Sequence, residues 1–372
     1  MKTQKKLVII GAGYAGINIV KKLSNNTDIK ITLINKSAYH LHQTDIHKYI
    51  SGECSFEEVS FSLQEFAVNN NIDFIEGCVT DVDFDSKKVL LDRTEISYDY
   101  LTIATGSVSF FPRQIKNIEA YAQDIKDISV LKAQREKFLS IINGKEKNKN
   151  IAIVGGGLSG VEIALEFANV LKQKNIQEDE CTISIIEQLP TVLPNMNPFL
   201  VDNTIAACNA LNIKQYHGAF VNEVKDDTVF LSDDRKIPFD MIVLVIGVTS
   251  EKLVKKEEVN VKNQFIVDEY LRLENHKEVF VVGDIAQTKD KNDNYVLPTA
   301  QMAKLHATLT AKNIVNSINS KTLIKNECET KGIMVDLANK NAVGLLMGLK
   351  VKGFIAYFLK RYVSKQHINL FK

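Results

Sequence analysis

Two short runs in this chain have the composition and spacing of a phosphate cradle. Gly11-Ala12-Gly13-Tyr14-Ala15-Gly16 and Gly155-Gly156-Gly157-Leu158-Ser159-Gly160 share the pattern G-x-G-x-x-G. In such a turn the first glycine permits the tight bend, the second lets the backbone approach a pyrophosphate, and the third lets helix and strand pack closely. The free amides at the helix N-terminus then meet the phosphates, helped by the helix dipole. One such run says little, because glycine turns after strands are common. Two runs, each between an apolar strand and a helix-periodic segment, point to dinucleotide binding.

A residue closing the second strand of such a unit is placed to bond a ribose hydroxyl. In the second unit this is Glu187, an acid that favours NADH because it repels the 2'-phosphate of NADPH. In the first unit it is Asn35, followed by Lys36; the plainer role for Asn35 is a strand-end turn.

The elements around these residues repeat. Apolar strands at 7–10 and 151–154 precede the two turns, amphipathic runs at 17–23 and 161–171 follow them, and second strands come at 29–34 and 182–186. A further echo pairs residues 98–106 with 239–247, each an acid, a buried-type strand and a terminal glycine, Gly106 and Gly247. Alternating segments at 81–91 and 221–231 suit antiparallel hairpins. A polar linker is expected at 143–150 after a helix at 130–142. A third strand ending in Gly283-Asp284 has no counterpart in the second half, so the second unit is inserted in the first. The predicted fold is α/β: two Rossmann-like dinucleotide-binding domains, the second inserted in the first, plus a C-terminal hairpin and amphipathic helix. The expected boundaries are 1–112 with 265–329 for the first domain, 113–264 for the second and 330–372 for the tail.

Composition bounds the remaining choices. A chain of 372 residues exceeds what one core usually serves. Lys and Arg number 46 against 45 Asp and Glu, a net charge of +1, so no basic field invites nucleic acid. The five cysteines stand singly with no C-x-x-C pair, which speaks against a zinc site and a disulfide framework alike and fits a reducing compartment; no metal is expected. The first apolar run is shorter than a signal-peptide core, and no run approaches the roughly 18 to 20 apolar residues of a membrane span.

With both loops, Ala104-Thr105-Gly106, Gly283-Asp284 and Pro298-Thr299-Ala300-Gln301 in place, the chain resembles the two-dinucleotide-binding-domain flavoproteins, and within them the type II NADH dehydrogenases, single-subunit NADH:quinone oxidoreductases. The resemblance runs over essentially the whole chain and includes Gly160-Val161-Glu162 and the C-terminal Lys331-Gly332-Ile333-Met334. It implies FAD in the first unit, on Gly11, Gly13, Ala15 and Gly16, and NADH in the second, on Gly155, Gly157, Gly160 and Gly247. It also implies that Asp284 binds the ribitol, that Ala104, Thr105 and Gly106 lie near the diphosphate, and that the Val79 backbone meets adenine. Ala300 and Gln301 would open a helix whose amides face the flavin pyrimidine edge, where partial positive charge stabilises the reduced ring. Glu162 would lie near the nicotinamide; its plainer role is a first-turn helix acid.

Two departures stand out. His42-Gln43-Thr44-Asp45 replaces the apolar stretch common in the family, and Lys304-Leu305 stands where His or Gln is frequent. His42, Asp45 and Lys304 could protonate a reduced quinone, or be ordinary surface and loop residues. Alternative activities are a soluble reductase of a small electron carrier, an apoptosis-inducing-factor-like oxidoreductase, a sulfide:quinone oxidoreductase and a flavin-containing NADH sensor. The sulfide reading needs paired cysteines, for which only Cys181 and Cys328 stand as a remote pair.

In the tail, a hairpin is expected around Asn339-Lys340-Asn341. After it Val351, Phe354, Ile355, Phe358, Leu359 and Tyr362 form one helical stripe flanked by Lys350, Lys352, Lys360, Arg361 and Lys365. Such a helix suits an anionic membrane surface and, with it, a membrane quinone and a peripheral place on the cytoplasmic face of the cell membrane. The alternative is a helix docked on the chain's own core or on a second copy in a homodimer.

Overall fold

The computed structural model describes residues 4–144, 146–254, 259–290, 294–369 and 371. Along the chain run β1 (Lys5–Ile10), α1 (Tyr14–Leu23), β2 (Ile29–Asn35), β3 (Asp73–Glu76) and β4 (Tyr100–Ile103). Then come β5 (Lys149–Val154), α2 (Leu158–Gln173), β6 (Cys181–Glu187), β7 (Lys214–His217) and β8 (Met241–Leu244), followed by β9 (Val279–Val281) and α3 (Ala300–Ile318).

These strands make two parallel sheets, in the orders β9-β4-β1-β2-β3 and β7-β6-β5-β8. Near-continuous apolar strands such as β1 and β5 are what a sheet covered on both faces requires, and their last four residues are buried in each case. Every strand of the second sheet falls between β4 and β9 in sequence, so the second unit is inserted in the first. Each unit also carries a three-stranded antiparallel sheet, at Val79–Asp83, Lys88–Leu91 and Glu95–Ser97, and at Val221–Lys225, Thr228–Leu231 and Lys236–Pro238. Both contain a register shift after their first residue, between Val79 and Asp81 and between Val221 and Glu223, so the duplication extends to irregularities of the backbone.

The tail departs from expectation. The hairpin of β10 (Gly332–Asp336) and β11 (Ala342–Leu346) is present, but a third strand, β12 (Leu349–Gly353), follows, and the helix α4 (Phe354–Asn369) begins only after it. Val351 is therefore a strand residue opposite Gly344 and not the start of the helical stripe. Val335, Leu337 and Val343 share one apolar cluster with Ile151, Ile153 and Phe167, so the tail sheet is built into the core of the second unit. The linker is also shorter than expected: its helix runs Ile128–Asn143 and β5 starts at Lys149.

Candidate active site between two glycine cradles

In the first cradle, Gly11 has φ +100, and a Cβ there would lie 2.5 Å from the carbonyl oxygen of Ala104. A Cβ on Gly16 would meet the Gly11 carbonyl oxygen at 1.9 Å, while one on Gly13 would meet nothing within 4 Å. Strand, turn and helix are thus locked together at the first and third glycines, and open space is left in front of the second. The second cradle repeats this: Gly155 and Gly160 are closed by Val245 and Gly155 backbone at 2.3 and 1.9 Å, and Gly157 faces open space. Ala15 is buried beside Gly283, whose added Cβ would sit 3.7 Å from those of Ala15 and Ala303.

The strand-closing residues also match. The Ala12 N–H donates to Asn35 Oδ1 at 2.9 Å, and the Gly156 N–H donates to Glu187 Oε2 at 2.8 Å. Asn35 further donates to the Ser37 carbonyl at 2.8 Å, and Glu187 Oε1 accepts from the Leu189 N–H at 2.9 Å. Each side chain therefore ties the turn at the position where a ribose is due. Lys36 is exposed and lies 3.8 Å from Glu251.

At the end of β4, Gly106 (φ +72) faces open space and the neighbouring Thr105 hydroxyl is buried with no hydrogen-bond partner among the described residues. Asp284 accepts from the Ser107 hydroxyl at 2.7 Å, and the Lys126 ammonium donates to the same hydroxyl at 2.6 Å. Burial pushes Lys126 down, with Asp284 and Asp124 opposing. Ser107 and Lys126 were missed by sequence reasoning; Ser107 adjoins Gly106 and was within reach, whereas Lys126 lies in no motif. Gly247 (φ +132) accepts from the Phe110 N–H at 3.0 Å, where Val108–Ser109 pairs with Val248–Thr249 and joins the two units. Val79 opens its strand opposite Leu91.

The helix α3 begins at Ala300 with Thr299 as its cap, accepting from the Met302 N–H at 3.1 Å. Gln301 Oε1 accepts from the Lys331 N–H at 2.8 Å, so its side chain anchors the start of the tail. Open space at Gly13 and Gly106, the orphaned Thr105 hydroxyl and a capped helix N-terminus fit a flavin dinucleotide along the first cradle.

Glu162 lies in the first turns of α2. It accepts from the Asp336 N–H at 2.8 Å, is ion-paired with Lys360 and has His47 at 3.8 Å. The surrounding charges are a buried network. Asp336 lies 3.1 Å from Lys48 and 3.6 Å from His47. Burial alone would raise the Asp336 carboxyl, but the His47 hydrogen bond and the charges of Lys360, His47 and Lys48 hold it well below the usual carboxylate range. Asp45, raised by burial but lowered more by His42, His47, Arg361 and Ser364, accepts from the Ser364 hydroxyl and lies 3.2 Å from Arg361.

Two expectations are overturned here. His42 and Asp45 are not surface loop residues: both are buried, because α4 closes over them. Lys360 and Arg361 do not flank the apolar stripe toward a membrane but turn inward to Glu162 and Asp45. Lys304, pushed down to about 8 by burial, lies 5.3 Å over the Tyr14 ring. The opposite face of α4 is apolar and exposed: Phe354, Ile355, Phe358, Tyr362 and Val363 lie beside exposed Met347 and Leu349. No helix among the described residues is long and apolar enough to cross a membrane.

A parallel sheet closed by a glycine cradle, present twice with the second copy inserted in the first, defines a flavoprotein with two dinucleotide-binding domains. Residues 5–307 match the family model described as pyridine nucleotide-disulphide oxidoreductase, and the chain belongs to that family. It is 26% identical to the type II NADH:quinone oxidoreductase of Staphylococcus saprophyticus over 392 residues, covering 98% of this chain and 95% of that protein. It is also 26% identical to that of Staphylococcus aureus over 397 residues, at 98% and 95% coverage. Among solved structures, NDH2 from Plasmodium falciparum in complex with NADH superposes with a TM-score of 0.85 at 21% identity, covering 99% of this chain and 97% of that one. The sulfide:quinone oxidoreductase of Aquifex aeolicus superposes with a TM-score of 0.82 at 20% identity, at 98% and 92% coverage. At these identities the structural likenesses speak for the fold.

Proposed function

We propose that this chain is an NADH:quinone oxidoreductase that passes electrons to a membrane quinone without pumping protons. The observation that carries this reading is the pair of open cradles with matched closing residues, Asn35 on Ala12 and Glu187 on Gly156. The names of the full-length curated relatives support it. Bound along the first cradle, FAD would supply the two-electron redox chemistry between NADH and the quinone.

The chain's own residues bind and orient. Amides of the Gly11–Gly16 turn and the N-terminus of α1 hold the flavin diphosphate, Asn35 and Lys36 lie at its ribose end, and Val79 meets its adenine. Asp284, held by Ser107, receives the ribitol. Ala104, Thr105 and Gly106 line the diphosphate, and the amides at Ala300 and Gln301 polarise the pyrimidine edge. Gly155, Gly157 and Gly160 cradle the NADH pyrophosphate, with Gly247 beside them, and Glu187 selects against a 2'-phosphate. Glu162 sits at the nicotinamide side, held by Lys360. In this reading residues 1–112 and 265–329 form the FAD domain, 113–264 the NADH domain and 330–372 the membrane-associating segment.

A thiol relay is disfavoured by chemistry. The five cysteines are free, and burial pushes the Cys54 and Cys181 thiols up to about 12, away from the thiolate that exchange requires. The exposed apolar face of α4 supports peripheral contact with the cytoplasmic face of the cell membrane. Flotation with anionic liposomes, followed by assay of NADH:quinone activity in the floated fraction, tests the reading. Activity that floats supports it; activity that stays in the soluble fraction with a small protein carrier as acceptor rejects it.

A further inference from the structure

The seam between the first unit and α4 buries three imidazoles with no assigned task. His40 lies in the strand Tyr39–Leu41, His42 two residues on and on the same face, and His367 in the last turns of α4. Their exposures are 1%, 1% and 3%. One ring nitrogen from each lies within 4.8 Å of the other two.

The hydrogen bonds assign the ring tautomers. His40 Nδ1 donates to the Ala12 carbonyl at 2.7 Å, which leaves Nε2 as a bare lone pair, buried with no partner among the described residues. His42 Nε2 donates to the Ser364 hydroxyl at 2.7 Å, and that hydroxyl donates onward to Asp45. His42 Nδ1 is then the lone pair, 3.2 Å from the Tyr14 hydroxyl. His367 Nε2 is likewise buried and unpartnered. His40 is held at its outer nitrogen by a carbonyl and His42 by a hydroxyl–carboxylate pair, as second-sphere partners hold metal-binding histidines, while the buried Nε2 atoms of His40 and His367 have no partner among the described residues and the Tyr14 hydroxyl faces His42 Nδ1.

We propose that His40, His42 and His367 form a binding site for a divalent transition-metal ion of the zinc class. Three neutral imidazoles without thiolate or carboxylate suit zinc, and the fourth position falls to water or the Tyr14 hydroxyl. The nitrogens must close to roughly 3.3 Å of one another, the spacing set by tetrahedral Zn–N bonds of about 2.05 Å, so binding requires the rings to rotate inward. Asp45 behind Ser364 offsets the added charge. The groups opposing it are Lys304, whose charged form burial disfavours, together with Lys360 and Arg361, each paired to a carboxylate. Two ligands come from the first unit and the third from the tail, so the ion clamps α4 to the body of the protein. The expectation of no zinc site rested on unpaired cysteines, which a histidine site does not use.

The test uses the full-length protein with its flavin, stripped by EDTA, desalted and titrated with Zn²⁺ against a chromophoric chelator. One tightly held zinc per chain is expected, with a saturable rise in Tm. His367→Ala and His42→Gln should each abolish the tight equivalent, and Ser364→Ala should weaken it roughly 10- to 100-fold. His276→Ala, remote from the cluster, should retain it. Flavin content and circular dichroism report whether each variant is folded. The proposal is overturned by a wild-type protein that takes up no tight zinc, or by folded histidine variants that hold it with unchanged affinity, which would mean an adventitious ion only. Neither NADH nor quinone enters this assay, so its failure and that of the proposed activity are distinguishable.

Discussion

Lys360 of the C-terminal helix is ion-paired with Glu162 of the second-cradle helix, 198 residues earlier in the chain. Both side chains are largely buried, and burial's downward pull on the ammonium is outweighed by Glu162 and Asp336. Removing one partner strands a buried charge, at a cost of about 3–5 kcal/mol. Lys360→Met should therefore destabilise the protein by that order, while Glu162→Gln with Lys360→Met should recover most of the loss. Denaturant titrations of the two single variants and the double variant measure the coupling; strictly additive losses would show that the pair is not coupled.

Glu187 sets the nucleotide preference. Replacing it with Ala removes a carboxylate that holds the Gly156 and Leu189 amides. The affinity for NADH should drop by about 1.5–3 kcal/mol, roughly 10- to 150-fold, with a much smaller effect on NADPH. Stopped-flow bleaching of the flavin with each nucleotide reads this directly, and an equal loss for both would remove Glu187 from the ribose site.

The exposed face of α4 carries the membrane contact. Phe354→Asp together with Phe358→Asp should abolish flotation with anionic vesicles, since each aromatic withdrawn from the interface forfeits about 1.5–3 kcal/mol. Bleaching by NADH in solution should be unchanged. Continued flotation of the double variant would place the contact elsewhere.

His306 on α3 is buried with neither ring nitrogen partnered among the described residues, and burial pushes it down to about 4 from 6.5. The unfolded chain therefore binds its proton first as pH falls, and the resulting stability is present above 6.5 and lost between 6.5 and about 4. This one residue should cost about 2 kcal/mol between pH 7.5 and pH 5. His306→Leu should flatten that dependence; parallel slopes for variant and wild type in denaturant midpoints would contradict it.

How far the sequence could be read follows from the range of its signals. The cradles and the insertion were legible because each rests on a local pattern that the chain repeats. The tail was half legible. Its apolar stripe was visible, but Val351 became a strand residue because it pairs with Gly344 across β11 and β12. Periodicity also gave no sign that Lys360 and Arg361 point inward, since their partners Glu162 and Asp45 lie far off in sequence. The polar stretch at His42 and Asp45 read as surface or loop residues and is instead the floor beneath Ser364, legible only once α4 is placed.

Both cradles serve one flavin. Anaerobic titration of the purified protein with NADH, followed by addition of a quinone, tests it most directly. The purified protein should be yellow, with visible absorbance that bleaches with one equivalent of NADH per chain and returns on adding quinone. A protein that emerges without flavin and cannot be reconstituted, or a flavin that NADH leaves oxidised, would contradict it.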